Sequence, residues 1–273
     1  MGGEGMLTRV ITSVVALAVF AIVLAAPPLV FQCAVGVVIL AMLYEATQVM
    51  TKSKSIKAVS YISGLAITVA TILGNMEPAL ILAVALFMIV SVFKHGESSH
   101  KEVFATGFMT MYISAFMSCA SVLYKEYGIV PMLIIFICAW STDTGAYFAG
   151  SAWGKHKLIP KVSPKKTVEG SLGGIVTAML CCMLYMFIIT AMGYNIPGFY
   201  GFWGYAMIGA VGVVASVVSQ LGDLTASAIK RDCGVKDYGK IFPGHGGFLD
   251  RFDSVIIIAP LIYYIIHAVS ALG

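Results

Sequence analysis

Charged residues are scarce in this chain of 273 residues. Asp, Glu, Lys and Arg make up 11% of it, whereas a water-soluble domain carries about 25%. Hydrophobic residues make up 59%. The scarcity of charge therefore excludes an ordinary water-soluble domain and predicts a membrane protein.

Several common motifs are also missing. The six cysteines show no CxxC spacing and no nearby histidine pair, which argues against a zinc site or a thiol redox motif. Five of the six lie in apolar stretches, so we interpret them as reduced packing residues. Position 6 is Met, where a myristoylation signal needs Ser or Thr. We find no internal repeat and no low-complexity segment.

Apolar runs predict an all-α, polytopic membrane protein, because a helix needs about 20 mostly apolar residues to cross the bilayer. The third and fourth runs are short and could instead form a re-entrant hairpin. The first run could instead be a cleaved signal peptide, because Arg9 precedes an apolar run that ends in Ala25-Ala26. The nine predicted spans lie at about 7–26, 29–50, 58–74, 78–93, 104–123, 129–150, 171–193, 204–229 and 254–271.

The polar chemistry is concentrated in the second half of the chain. We therefore divide it into N-terminal scaffold helices, residues 1–103, and a C-terminal catalytic region, residues 104–273. The catalytic region includes two polar loops, 151–170 and 230–253, which we expect to be cytosolic.

The longest polar stretch runs from Ser219 to Ser254. Asp223 lies inside an apolar helix, where an ionised carboxylate costs at least about 2.5 kcal/mol unless it is paired or bound to a metal. Asp250 and Asp253 are three residues apart at the start of the last span, so they share one helix face. Because Mg²⁺ prefers carboxylate oxygens, these three residues are candidates for holding one or two ions. A buried salt bridge for Asp223 and helix capping for the other two are the alternatives.

A glycine-rich turn precedes the last span. Gly244, Gly246 and Gly247 can point successive N–H groups at an anion, just before a helix N-terminus that also favours anions. The turn therefore predicts a phosphate site, with a tight interfacial turn as the alternative. His245 could bind a ligand, donate to a phosphate or hydrogen-bond the turn.

A second polar block begins at Ser163, which with Pro164 predicts the N-cap and first residue of a helix. Lys165 and Lys166 would then lie in the first helical turn, where positive charge opposes the helix dipole. We interpret this conflict as a sign that both lysines meet an anion such as a triphosphate or a lipid phosphate. Anchoring of the loop to a negatively charged membrane surface is the alternative.

Three other acidic residues are weaker candidates. Asp143 lies within a predicted span, and we expect it to be a buried carboxylate that supports the metal ligands. Glu45 and Glu169 are expected to be structural, with Glu169 as a second candidate for that supporting role.

These motifs resemble the signature of the phosphatidate cytidylyltransferases, the CDP-diacylglycerol synthases. The likeness covers residues 135–260 or so, while the first half is similar only in being apolar helices. The matching residues are Asp143-x-Gly145-Ala146-Tyr147, Ser163-Pro164-Lys165-Lys166-Thr167-x-Glu169-Gly170, Ser227-Ala228-Ile229-Lys230-Arg231, Lys236-Asp237, and Pro243-Gly244-His245-Gly246-Gly247-Phe248-Leu249-Asp250-Arg251-Phe252-Asp253.

The resemblance implies that CTP and phosphatidic acid give CDP-diacylglycerol and pyrophosphate, for phospholipid synthesis. It also implies Mg²⁺ dependence with one or two metal ions, a homodimer, and a polar cavity open to the cytosol. In that family the aspartates that match Asp223, Asp250 and Asp253 are associated with a two-metal centre. We expect no nucleic-acid partner.

The chemistry of that reaction suggests a role for each motif. The phosphate of phosphatidic acid is largely dianionic at neutral pH, so the reaction needs charge neutralisation and in-line placement rather than a general base. We assign Asp223, Asp250 and Asp253 to metal binding, and Lys230 and Arg251 to the reacting phosphates. The candidate substrate-binding residues are Ser163, Lys165, Lys166, Thr167, Arg231, Lys236, Gly244, His245, Gly246 and Gly247.

Two other functions share part of this pattern. A CTP-dependent membrane lipid kinase would use the same nucleotide in the same setting, but it would release CDP instead of pyrophosphate. An ion-coupled transporter would also carry carboxylates within the membrane. It would need polar residues through to the outer face, and the outer halves of these spans are nearly uncharged.

The placement of Lys and Arg predicts the orientation in the membrane. If nine spans start inside, 16 of the 17 basic residues are cytoplasmic, and only Lys125 lies outside. We therefore predict a multi-pass protein of the cell's inner membrane, with its active site facing the cytoplasm and its C-terminus outside.

A C-terminal reporter that fluoresces only in the cytoplasm is expected to stay dark. A bright fusion would contradict this orientation.

Overall fold

The computed structural model describes residues 3–241 and 246–272, with side chains in the first helix from Val14 onward. Each of the nine predicted runs forms a helix, so the all-α prediction is confirmed, with one short hairpin added. The elements are α1 (Gly3–Leu24), α2 (Pro28–Met50), α3 (Lys54–Leu73), α4 (Glu77–Phe93), α5 (His100–Tyr127), α6 (Ile129–Trp153), β1 (Lys157–Ile159), β2 (Ser163–Thr167), α7 (Val168–Ala191), α8 (Gly201–Asp232) and α9 (Leu249–Leu272).

Seven of the described helices, α2, α3 and α5 to α9, are long and apolar enough to cross a membrane. Helix α4 has 17 residues, so it is about 25 Å long, less than the roughly 30 Å of the hydrocarbon core. In α1 the described side chains cover only Val14–Leu24, a shorter apolar stretch. The chain is thus a multi-pass membrane protein, while the crossing of α4 stays a prediction.

The chain divides into two compact units. The first consists of Met1–Val122 and Asp232–Phe252, and the second of Leu123–Arg231 and Asp253–Gly273. Helix α9 contributes its first turn to the first unit and the rest of its length to the second.

Within the first unit, α3 packs against both α2 and α4. The buried side chains of Ile56, Phe87 and Val103 join α3, α4 and α5 in one apolar cluster. The hydroxyls of Ser60 and Thr110 form a buried hydrogen bond of 2.7 Å between α3 and α5. Such bonds satisfy polar groups that lipid cannot, so they hold helices together within a bilayer.

Within the second unit, α6 and α7 pack closely along a row of small residues. A Cβ atom on Gly145 would collide with Thr177, and one on Gly173 would collide with Ala149. The hydrophobic effect contributes little to helix association within lipid, so close van der Waals contact between small residues stabilises the pair instead. This packing sets which faces of α6 and α7 are left for a site.

The connection between α6 and α7 corrects one prediction. The residues from Ser163 to Thr167 form strand β2, which pairs antiparallel with β1. The predicted helix start at Ser163 is therefore wrong, since α7 begins at Val168. The N-cap is Thr167, whose hydroxyl accepts the N–H of Gly170 at 3.1 Å.

The two lysines that follow Ser163 therefore also lie in a strand rather than in a helix. Pro164 lies in a short two-stranded hairpin, where its fixed φ suits an extended chain and its missing N–H costs no central ladder bond. Lys165 and Lys166 lie in the strand before α7 rather than in its first turn. The conflict with the helix dipole that suggested an anionic partner for both lysines therefore does not arise.

The close contact of α6 with α7 can be tested by adding a side chain to it. We expect Gly173→Leu to destabilise the solubilised protein by about 1–3 kcal/mol, because an overpacked interface must shift its backbone or rotamers. The measurement is the apparent melting temperature in detergent. Val176→Leu on the same helix is the control, since Val176 is 51% exposed. Equal shifts for the two variants would contradict the close packing.

Candidate active site

A cavity of about 330 Å³ lies in the second unit, and its size is within the range of small-molecule sites. Helix α6 provides one wall, because Asp143, Tyr147 and Gly150 are four and three residues apart on one face. The hairpin, α7 and α8 provide the rest. The lining residues are Asp143, Ala146, Tyr147, Gly150, Ser151, Leu158, Lys165, Lys166, Thr167, Gly170, Ser171 and Gln220.

Asp143 is exposed, so the prediction that it is buried is wrong. Its face of α6 lines the cavity, while the neighbouring Gly145 faces the contact with α7. An apolar run in a sequence does not show which of its faces will border an opening. The supporting role proposed for Asp143 stays a prediction.

Asp223 on α8 forms an ion pair with Lys166 of strand β2. The Ser227 hydroxyl, one turn further along α8, donates to the other carboxylate oxygen at 3.3 Å. The ion pair with a lysine was the alternative that the sequence left open for Asp223. It links α8 to the hairpin, next to the cavity that Lys165 and Lys166 line.

Further charges gather around this pair. Asp253 on α9 is half-buried and interacts electrostatically with Asp223, Lys230 and Asp143. Lys230 is only 9% exposed, which is unusual for a lysine. Three carboxylates and the two lysines Lys166 and Lys230 therefore gather within the second unit.

The close approach of α9 to α8 places Asp253 there. A Cβ atom on Gly222 would lie 2.6 Å from the Ile257 side chain and 2.9 Å from the carbonyl oxygen of Asp253. Only a glycine beside Asp223 leaves room for that backbone. The Ser254 hydroxyl adds a contact of 3.4 Å to the carbonyl of Ser219.

The carboxylate oxygens of this cluster are the type of ligand that suits a magnesium ion. Carboxylate oxygens are the hard ligands that Mg²⁺ takes, and a cation would relieve the repulsion among Asp143, Asp223 and Asp253. Across residues 3–241 and 246–272, no three His, Cys, Asp or Glu side chains converge at metal-ligand spacing. In this structure Lys166 instead neutralises Asp223.

The first unit holds the other predicted metal ligand, Asp250, which is 9% exposed. Its Oδ2 accepts the N–H of Tyr238 at 2.9 Å and the N–H of Gly247 at 3.1 Å. One carboxylate oxygen thus ties the two ends of the loop between Tyr238 and Gly247 together. Gly246 adopts φ +84°, a left-handed conformation that favours glycine.

Glu45 is a residue that sequence reasoning left outside the site. It is 2% exposed on α2, and its two oxygens accept the N–H groups of Phe248 at 3.1 Å and Leu249 at 2.9 Å. These donors begin α9, so Glu45 anchors the start of that helix. The only sequence signal is an acidic residue in an otherwise apolar span.

Glu169 has a clear structural role, as the sequence predicts. Its carboxylate accepts the backbone N–H groups of Lys155 and His156, and it bonds His156 Nδ1 at 2.6 Å. Glu169 therefore fastens the start of the hairpin to the first turn of α7. No contact described for it reaches the aspartate cluster.

The other predicted residues are distributed as follows. Thr167 lines the cavity but uses its hydroxyl as the helix cap, and Ser163 is half-buried in β2. Arg231 is exposed at the end of α8 in the second unit, and Lys236 and Arg251 are exposed in the first unit. Gly244 and His245 lie outside the described residues.

The sequence profile of the cytidylyltransferase family matches residues 7–269. The chain belongs to this family. A Bacillus subtilis protein named phosphatidate cytidylyltransferase is 37% identical over 203 residues, covering 72% of this chain and 70% of its own length. Proteins of the same name from Staphylococcus saprophyticus and Haemophilus influenzae are 43% and 44% identical. Those two matches cover 50% of this chain and 49% and 46% of the relatives.

The anchoring of the hairpin by Glu169 can be tested directly. We expect Glu169→Ala to release the segment 155–167, because two backbone N–H groups and one imidazole lose their acceptor. Trypsin should then cleave after Lys157, Lys161 and Lys165 several-fold faster than in the wild type. Glu97→Ala is the control, since Glu97 pairs only locally with Lys94 at an exposed site. Equal cleavage of the wild type and Glu169→Ala would refute the anchor.

Proposed function

We propose that this protein transfers the cytidylyl group of CTP to phosphatidic acid, giving CDP-diacylglycerol and pyrophosphate for phospholipid synthesis. The observation that carries the proposal is the cluster of Asp143, Asp223 and Asp253 with two lysines, beside a cavity among apolar helices. Membership of the cytidylyltransferase family and the names of the bacterial relatives agree with it.

Both substrates are anions, so bringing them together requires positive charge. Lys165 and Lys166 line the cavity, and both can turn to a phosphate because they lie on a short surface strand. Lys230 adds a buried positive charge within the aspartate cluster. Positive charge fixed in place before the reaction stabilises a phosphoryl-like transition state without reorganising solvent.

The nucleophile needs no general base. A phosphate monoester has a second pKa of about 6, so at neutral pH much of the phosphatidate already carries the second negative charge. One of its oxygens attacks the α-phosphorus of CTP, and the bond to the β-phosphate oxygen breaks to release pyrophosphate. The work of the site is to hold the two phosphates in line and to exclude water.

Asp223 and Asp253 are the residues that would hold Mg²⁺ in the second unit, with Asp143 beside them. When bound, the ion would supply positive charge at the α-phosphate and at the leaving pyrophosphate. Lys166 would exchange its partner from Asp223 to a substrate phosphate, because an ion at Asp223 would repel it. The assignment of Asp250 to a metal stays a prediction.

The setting suits a lipid substrate. The helices expose large apolar side chains, such as Leu172, Leu180 and Leu184 along α7. Acyl chains can stay in the bilayer while the head group reaches polar residues at the membrane surface. We propose that the cavity opens to the cytoplasm, where the basic loops are predicted to lie, and that the chain acts as the homodimer that the family resemblance implies.

Neither alternative function is supported. The relatives carry the name of a cytidylyltransferase rather than of a lipid kinase or a transporter. Product analysis separates the two enzyme classes, because a kinase transfers the γ-phosphoryl group and releases CDP.

The proposal can be tested with purified protein, phosphatidic acid in detergent micelles, labelled CTP and Mg²⁺. We expect CDP-diacylglycerol and pyrophosphate in equal amounts, and loss of both when a chelator removes the metal. Release of CDP with a phosphorylated lipid, or no lipid product at all, would contradict the function.

Variants test the aspartate cluster. We expect Asp223→Asn and Asp253→Asn each to lower kcat at least about 100-fold, the usual effect of removing one electrostatic contact made to the transition state. Asp232→Asn is the matched control, since Asp232 is an exposed acid at the end of α8. Full Mg²⁺-dependent activity of either variant would show that the cluster is misassigned.

A further inference from the structure

We propose that Glu45 is a positioning residue for this reaction. Its carboxylate binds the backbone N–H groups at the start of α9 and so fixes the first turn of that helix, which carries Asp250. The effect on catalysis rests on the proposed function, whereas the contact itself does not.

Glu45 is a buried acidic residue whose carboxylate faces the N-terminus of α9. It lies on α2, is 2% exposed, and is 203 residues away in the chain from Phe248, whose N–H it accepts. Its second oxygen accepts the N–H of Leu249 at 2.9 Å. Both oxygens therefore act as acceptors, which is how an ionised carboxylate is satisfied away from water.

The partners of Glu45 explain the effect on α9. The first N–H groups of a helix have no partner within it, and they carry the positive end of the helix dipole. Such groups are usually capped by a residue just before the helix. Here a carboxylate from a distant helix supplies acceptors for Phe248 and Leu249, so α9 can begin only where α2 holds it.

Two glycines on either side of the glycine-rich loop pack against the same carboxylate. A Cβ atom on Gly239 or on Gly247 would collide with the Glu45 carboxylate. The N–H of Gly247 donates to Asp250, and the next two N–H groups donate to Glu45. Three successive N–H groups of the turn are thus bound to carboxylates of the protein itself.

This arrangement changes the interpretation of the turn. The sequence predicts that the N–H groups of Gly244, Gly246 and Gly247 face a phosphate, whereas the N–H of Gly247 donates to Asp250 in the structure. The glycines at 239 and 247 are required because a carboxylate packs against them.

The contact is tested by hydrogen–deuterium exchange of the detergent-solubilised protein, read on peptides that cover residues 246–252. We expect Glu45→Ala to remove the protection of these amides, and Glu45→Gln to remove part of it because its amide keeps one acceptor. Thr47→Val is the control, since Thr47 is equally buried on α2 but bonds Tyr61. Gly247→Ala should reproduce the loss independently, even if Glu45→Ala fails to fold.

Positioning is tested by the Mg²⁺ concentration that gives half-maximal activity. We expect it to rise about 10–100-fold in Glu45→Gln, the usual cost of losing a group that orients metal ligands. A merely less stable protein would lose active molecules without changing this midpoint, and Thr47→Val should leave it unchanged.

Two results would overturn the proposal. One is wild-type protection of residues 246–252 in Glu45→Ala, and the other is a loosened turn with an unchanged Mg²⁺ midpoint. If the wild-type protein made no CDP-diacylglycerol, the proposed function would fall, and the exchange experiment would still decide whether Glu45 holds the turn.

Discussion

Carboxylates set among apolar helices dictate many of the contacts in this protein. Each costs several kcal/mol in a bilayer unless a cation or a hydrogen-bond donor compensates it. Lys166 forms an ion pair with Asp223 and Ser227 donates a hydrogen bond to it. Two backbone N–H groups at the start of α9 donate to Glu45. The hairpin and the glycine-rich turn are placed where they can make these contacts.

Packing of small residues makes those contacts possible. Gly145 and Gly173 let α6 and α7 approach, and this leaves the Asp143 face of α6 to line the cavity. Gly222 does the same for α8 and α9 and brings the backbone of Asp253 beside α8. The arrangement of the second unit therefore depends on glycines at helix contacts that do not line the cavity.

Local signals predict the helices well and their exact starts less well. Runs of apolar residues identify the nine helices of residues 3–241 and 246–272, because a lipid-facing segment must satisfy its backbone within itself. We expected the N-cap of α7 at Ser163, and the structure uses Thr167 instead. The pairing of β2 with β1 decides between them, and no capping rule contains that pairing.

The membrane class, the apolar helices, the chemical character of the two polar blocks and the family resemblance can all be predicted from the sequence. These properties depend on composition and on residues close together in the chain. The three-dimensional fold is needed to see that Lys166 pairs with Asp223, that Asp143 lines a cavity and that Glu45 holds the start of α9. The reason is that a charge finds its partner through helix packing, and the small residues that direct this packing carry no charge of their own.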